Sequence, residues 1–461
     1  MSKKNYLFEI LSFAASVFIL VMPALINGYP LVYSDTGTYI ATGFSGRIPF
    51  DRPIMYGFFI RHISLATSLW LVVIMQAIIV WFILWMFVRS FFQFSKNWLV
   101  TLSIVLFLSL TTGLANYTSQ IMADIFTGVM LIGTGILLIN PPQEKFLKIC
   151  LGILVVLSLL VHASNLIIVT GLLLTILILK GLFKKMTLIS VKHFFLTAIL
   201  ISSAWLLIPS INYLSGVGFK VSRAPSVFIM GRLVESGILK NYLDEHCADN
   251  SIPMCKYKDN LPGKSPVFLW DSESPLYKDG CIGANKHEME CWGLKNEEYS
   301  ALTKAIFSSP ANVKAYFIFA MKEAFIQFFH FNVEPLAPMG KGSPVFGNIE
   351  WRFKQDYQQY IHSKQFSHAF TYTTITYIQF LLVIICVIIG LIVFFVRKNR
   401  ELVPSSLQIM LFLVVTGLVF NAIVCAALSM VADRFQGRLI WVFPLVILFT
   451  LHSVMKKRKA P

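Results

Sequence analysis

The chain is 461 residues long; 56% of them are hydrophobic and only 13% charged, with a mean hydropathy of +0.70. A soluble domain carries about 25% charged residues, so soluble, disordered, collagenous, coiled-coil and small disulfide-scaffold chains are excluded, and an all-α polytopic membrane protein is predicted. The net charge of +16 would suit a nucleic-acid binder until its placement along the chain is read.

A helix needs about 20 apolar residues to cross the hydrocarbon core. Ten segments are candidates, near 9–27, 66–88, 98–115, 121–139, 147–163, 165–182, 193–212, 371–396, 406–431 and 439–455. The first has a basic start and an apolar run like a signal peptide. No small-residue cleavage site follows, so it reads as a retained helix. The two segments around Asn165 are nearly fused, which predicts a tight hairpin.

Short segments between these spans hold Lys3, Lys4, Arg89, Lys96, Lys145, Lys148, Lys180, Lys184, Lys185, Lys192, Arg397, Lys398, Arg400, Lys456, Lys457, Arg458 and Lys459. That is roughly 17 basic residues against two acidic ones, which nearly accounts for the net charge and follows the positive-inside rule. Both termini are therefore expected in the cytoplasm, and nucleic-acid binding loses its support. The basic face suits topology and attraction to anionic lipids. Three regions follow: a seven-span core at 1–212 with a first external loop at 28–65, an extracytoplasmic domain at 213–370 that is mostly helical or irregular, and three C-terminal spans at 371–461.

Ionisable residues near membrane level are the functional candidates in so apolar a chain. The first external loop carries Tyr33-Ser34-Asp35-Thr36-Gly37, then Asp51-Arg52-Pro53 and Arg61-His62. Asp35 is expected at the head of a short helix starting near Ser34. There it either caps that helix with Arg52 as salt-bridge partner or serves as a general base facing a cavity. Arg52 and Arg61 could bind a lipid phosphate or simply snorkel. Asp124 opens the fourth span, where an acid suits the positive end of the helix dipole or forms a second acidic site residue. His162, with Ser164 and Asn165, closes the next external turn, as a structural hydrogen-bonding group or a site residue.

In the block at 213–370, Ser226–Asp244 has helical periodicity, 247–295 is turn-rich, and 297–332 is helical with a break at Pro310. Arg232 and Glu235 read as an exposed i, i+3 pair of little energy. Ala311–Phe331 is amphipathic and aromatic, suited to the membrane interface. Cys247, Cys255, Cys281 and Cys291 all fall in this block. An even number in an oxidising compartment predicts disulfides. Three pairings are open, the nearest in sequence being Cys247–Cys255 and Cys281–Cys291. Zinc with His246 and His287 is the rival, but the spacings match no zinc motif.

The last external loop is Asp433-Arg434-Phe435-Gln436-Gly437-Arg438. Arg434 and Arg438 share one helix face. They are either interface anchors or a clamp for a phosphate or pyrophosphate. Their extracytoplasmic position runs against the positive-inside bias and favours the clamp. No repeat, phosphate-binding glycine loop, nucleophile elbow or H-E-x-x-H occurs.

Taken together, an Asp soon after the first span, an acid at a later external turn, a seven-span core and a large external segment resemble the GT-C superfamily of membrane glycosyltransferases, of the protein-mannosyltransferase and aminoarabinose-transferase kind. The stretch Arg232-Leu233…Cys247…Cys255…Phe268-Leu269-Trp270-Asp271…Ser274-Pro275-Leu276-Tyr277 also resembles a bacterial membrane-protein family. The superfamily resemblance implies inverting transfer of a sugar from a polyprenyl-phosphate donor to a lipid, glycan or protein acceptor on the outer face of the membrane, and the lysine-rich loops, short chain and lack of a targeting segment suit the bacterial inner membrane. It puts the catalytic base at Asp35, the second acid at Asp124, and the phosphate-binding arginine at Arg438 or Arg434, with Arg52, Arg61, His162 and Arg232 as further binding candidates. No cofactor is required on this reading, though Asp35 with Asp124 could hold a divalent metal. Many relatives carry paired carboxylates in the first loop, whereas Thr36 follows Asp35 here. The rival functions are an O-antigen-type polymerase or ligase, and a transporter or flippase. Clean spans and the absence of a repeat disfavour transport.

Overall fold

The computed structural model describes residues 3–92, 94–182, 189–248, 252–278 and 288–459. Among these residues the regular structure is all helical, with one isolated parallel bridge between Leu31 and Gln120. The first half comprises α1 (Lys3–Asn27), α2 (Ser34–Ser45), α3 (Met55–Ile63), α4 (Trp70–Phe91), α5 (Asn97–Thr111), α6 (Leu114–Thr118), α7 (Ile125–Ile139), α8 (Lys145–Leu160), α9 (Ala163–Leu182) and α10 (Val191–Leu214). There follow α11 (Pro225–Glu235), α12 (Ile238–His246), α13 (Ser265–Trp270), α14 (Glu288–Phe307), α15 (Pro310–Phe329), α16 (Pro344–Arg352) and α17 (Lys354–Ile361). The chain closes with α18 (Thr373–Phe395), α19 (Arg397–Leu402), α20 (Ser405–Leu428), α21 (Arg434–Ile440) and α22 (Val442–Lys459).

Each of the ten apolar segments is helical. Among the described residues, seven helical stretches are long and apolar enough to cross a membrane, as in a multi-pass membrane protein: α1, α4, α9, α10, α18, α20 and the α21–α22 run. α5, α7 and α8 are 15, 15 and 16 residues long. The shortness of α7 has a physical reason. Every residue from Ile125 to Ile139 is buried, so the helix is solvated by protein and need not match the hydrocarbon thickness. Gly128, Gly133 and Gly135 let Trp441, Val155 and Met410 close onto it. The expected hairpin around Asn165 is present: α8 and α9 are joined at Val161 and His162, and the Asn165 amide donates to the carbonyl of Ser158 at 2.8 Å.

The loop after α1 folds into α2 and α3, which cross at glycine. A Cβ on Gly43 would lie 2.1 Å from the Gly57 carbonyl oxygen, so the two backbones touch as in small-residue helix crossings. α2 starts with a capping box, in which the Tyr33 N–H donates to Thr36 Oγ1 at 2.9 Å, and ends at Gly46 with φ +72°.

The block at 213–370 divides physically. Residues from Ala224 to Ile306 surround their own core of Leu233, Phe268, Leu269, Trp292 and Tyr299. The helix expected at Ser226–Asp244 is split at Gly237, whose φ of +75° ends one helix and starts the next. Helix α14 begins inside the segment expected to be irregular. The break at Pro310 is present, with proline at the first turn of α15. By contrast α16 and α17 pack into the main core with the first loop. Pro344 and Val345 lie against Gly37, Asp356 accepts from Tyr29 Oη (3.1 Å) and Leu69 N (2.7 Å), and the Gln365 amide bridges both backbone groups of Val32. These buried polar groups bind the two segments into one layer over the bundle.

Cys247 and Cys255 form a disulfide across the end of α12. Cys247 is therefore not a zinc ligand, and His246 lies stacked on Tyr242 instead. Cys291 is disulfide-bonded as well, while Cys281 and His287 lie outside the described residues. Cys150, Cys386 and Cys425 are free.

Candidate functional site

Residues far apart in sequence converge where the first loop meets the loop between α20 and α21. Asp35 lies in the first turn of α2 but makes no cap bond, because the box of Tyr33 and Thr36 satisfies that end. Its carboxylate is held between two arginines: Oδ1 accepts from Arg52 at 2.9 Å and Oδ2 from Arg434 at 3.1 Å. Arg52 also pairs with Asp51 and lies over the Tyr39 ring at 4.9 Å. Arg434 lies over the Tyr33 ring at 4.5 Å. Burial alone would raise the Asp35 carboxyl, but the guanidiniums of Arg52 and Arg434 outweigh it and hold the group well below the usual carboxylate range.

A second, deeper cluster is centred on Arg438, which is fully buried. One of its terminal nitrogens donates to Asp124 at 2.8 Å and lies 2.9 Å from His162 Nε2; the other reaches Asn421 Oδ1 at 3.3 Å and Ser164 Oγ at 3.5 Å. Its Nε has no partner. Asp124 sits at the N-cap of α7 without a side-chain cap bond, so its principal partner is the guanidinium. His162 Nδ1 is 2.8 Å from Ser164 Oγ, and Asn421 donates to Gln436 and to the Phe435 carbonyl.

The two clusters are joined through α21, because Arg434 and Arg438 stand one turn apart on it. Gly437 makes this possible: a Cβ there would lie 2.5 Å from both the Asn332 carbonyl oxygen and the Tyr117 hydroxyl. Beside Arg434 opens a narrow cleft lined by Tyr33, Tyr117, Gln120, Glu334 and Tyr372.

Six candidates are thus brought together: Asp35, Arg52, Asp124, His162, Arg434 and Arg438. Two are not. Arg61 is exposed on α3, with the Phe44 ring 5.9 Å from its guanidinium. Arg232 belongs to the unit that has its own core between α10 and α15. The pair expected to be exposed is in fact buried: Arg232 has no exposed surface, pairs with Glu235, lies 3.4 Å from Glu323 and faces the Phe319 ring at 4.7 Å. The reason is that α11 turns this face toward α15, which sequence periodicity within α11 cannot reveal.

Glu334 is a site residue that sequence reasoning missed. It accepts from Tyr33 Oη at 2.7 Å and from the Arg434 N–H at 3.1 Å, and it stands in an irregular stretch with no motif to mark it. Asn421 was detectable, since a polar side chain inside an apolar span is a signal in itself. Among the described residues no group of three or more His, Cys, Asp or Glu side chains could hold a metal ion. Guanidinium groups hold both oxygens of Asp35 and Oδ1 of Asp124, and their positive charge disfavours a divalent cation at this place. No family model, curated protein or solved structure matches the chain.

Proposed function

We propose that the protein is an inverting membrane glycosyltransferase that moves a sugar from a polyprenyl-phosphate donor to a lipid, glycan or protein acceptor at the outer face of the bacterial inner membrane. The observation that carries this reading is the suspension of Asp35 between Arg52 and Arg434. Two guanidiniums converging on one carboxylate form a site for an oxyanion. The Asp35 carboxylate occupies that site.

The sequence of events follows from this competition. The donor phosphate draws Arg434 and Arg52 toward itself and releases the Asp35 oxygens. Freed of its counter-charges, Asp35 regains basicity and takes the proton of the acceptor hydroxyl. The acceptor oxygen attacks the anomeric carbon, the bond from that carbon to the phosphate oxygen breaks, and its electron pair leaves with the phosphate. The arginines stabilise the departing charge. The Arg438–Asp124–His162 cluster sets the position of α21 beneath and so fixes where Arg434 points. No metal enters this scheme.

On this reading the termini are cytoplasmic and the site faces the exterior. The test is mass spectrometry of surface glycolipids and glycans from cells carrying the wild type, Asp35→Asn or a deletion. Loss of one hexose- or pentose-sized mass in both mutants, at equal protein level, supports single-sugar transfer with Asp35 as base. Loss only in the deletion removes Asp35 from the mechanism. Collapse of long glycans to one unit favours a polymerase, and no change in any glycan sinks the transferase reading.

A further inference from the structure

α15 does not belong to the seven apolar helices, and its sequence holds Lys314, Lys322 and Glu323. Yet its placement and its surface are those of a helix in contact with lipid. It lies along α20, burying Ala320, Ala324 and Gln327 against the bundle. Its polar groups on that side are satisfied: Tyr316 Oη donates to the Ala427 carbonyl at 2.6 Å, the Gln327 amide bonds both backbone groups of Ala432, and Glu323 pairs with Arg232. The opposite face carries Phe317, Ile318, Met321, Phe325 and Phe329, all of them exposed, Phe325 by 68%.

Depth is set by the end of the helix. The carbonyl of Phe331, just beyond α15, accepts from Gln379 Nε2, and the same Gln379 side chain accepts from Gly113 N at 2.7 Å. The Phe331 ring stacks on Phe380 at 5.9 Å. Gln379 is six residues into α18, about 9 Å below its outer end. The last turns of α15 therefore reach into the layer occupied by a helix apolar enough to cross a membrane. Lys322 stands about 12 Å further out along the axis, and Lys314 further still. Charge is thus confined to the outer part of the exposed face, and the inner part is purely apolar. A contiguous exposed apolar face marks contact with lipid or another protein, and just beyond it Phe331 stacks on Phe380 of α18, where Tyr377, Phe380 and Leu381 are exposed as well.

We propose that α15 is immersed in the outer leaflet, with Phe325, Phe329 and Met321 against lipid acyl chains and Lys314 and Lys322 extended to the headgroup phosphates. The external unit then hangs on the bilayer through Arg232 and Glu323, and the irregular segment after α15 delivers Glu334 to Arg434 from the lipid side. The inference stands apart from the proposed chemistry and needs only that the spans cross a membrane.

The experiment uses the whole protein in nanodiscs doped with a phospholipid that carries a diazirine midway along one acyl chain. After photolysis, adducts are mapped by peptide mass spectrometry. Yield on Phe317–Phe329 is expected within about threefold of that on Tyr377–Leu391 of α18, and about tenfold above that on the exposed Val267 and Trp270 of the external unit. Labelling of α18 without α15 overturns the proposal. So does loss of lipid adducts on α15 in nanodiscs that hold two copies of the chain, counted by native mass spectrometry, which would make the face a dimer interface. Labelling of neither helix overturns it together with the membrane reading itself.

Discussion

Arginines dominate the buried electrostatics, and each has carboxylates waiting for it. Arg438 and Arg232 are both fully buried and both paired. Removing one partner of such a pair leaves an uncompensated charge and costs about 3–5 kcal/mol. Arg438→Ala is therefore expected to lower the melting temperature in detergent sharply. Arg438→Ala combined with Asp124→Asn should recover part of the loss, because the orphaned charge is gone. Asp35 gives a pH prediction. Its folded-state pKa is depressed below that of an unfolded aspartate, so its contribution is fully present above the unfolded value, near pH 4. It is lost as pH falls toward the folded value. Melting temperature should hardly respond to this group between pH 7 and pH 5 and should fall below pH 4. Asp35→Asn, compared across the same range, should show a shallower acid slope; an identical slope would mean that the two arginines do not stabilise the carboxylate.

At the scale of elements, glycine and sulfur decide how the external parts assemble. Gly43→Ala puts a methyl group where the Gly57 carbonyl oxygen stands, so α2 must move from α3 at a cost of roughly 1–3 kcal/mol. Since α2 carries Asp35, the expected result is loss of the proposed transfer activity in excess of the loss of folded protein, measured on matched amounts of melting-competent protein. The Cys247–Cys255 bridge closes a short loop, for which chain entropy gives about 2–3 kcal/mol. Its replacement by serines is expected to raise hydrogen exchange across α11–α14 while leaving α4, α7 and α20 protected, because the external unit has its own core. Exchange rising equally in the spans would show that the two cores unfold as one.

At the scale of the molecule, the layout places the site at one end of the helical bundle, between the first loop, the segment from Asn332 to Gln365 and the start of α21. The proposed orientation puts this end outside. Alkaline phosphatase fused after Gly340 should be active, and fused after Lys398 inactive, in a bacterial host. The reverse pattern would place the site in the cytoplasm and remove the basis for a flipped polyprenyl-phosphate donor.

Much of this was legible in the residues themselves. Apolar run length marked all ten segments as helical, but among the described residues seven stretches are long enough to cross a membrane and α5, α7 and α8 are shorter, because an apolar run reads the same whether lipid or protein surrounds the helix. Asp35, Asp124, Arg434 and Arg438 stood out because ionised groups are rare in such a chain and costly unless paired. What only the tertiary structure decided is who pairs with whom. That Asp35 meets Arg434 across 399 positions, that Arg232 is buried against α15, that Glu334 joins the site and that α16 and α17 close over α2 all depend on which helix faces turn toward each other. Periodicity reports a helix's own faces, whereas the partner of each face is chosen by packing between segments distant in the chain.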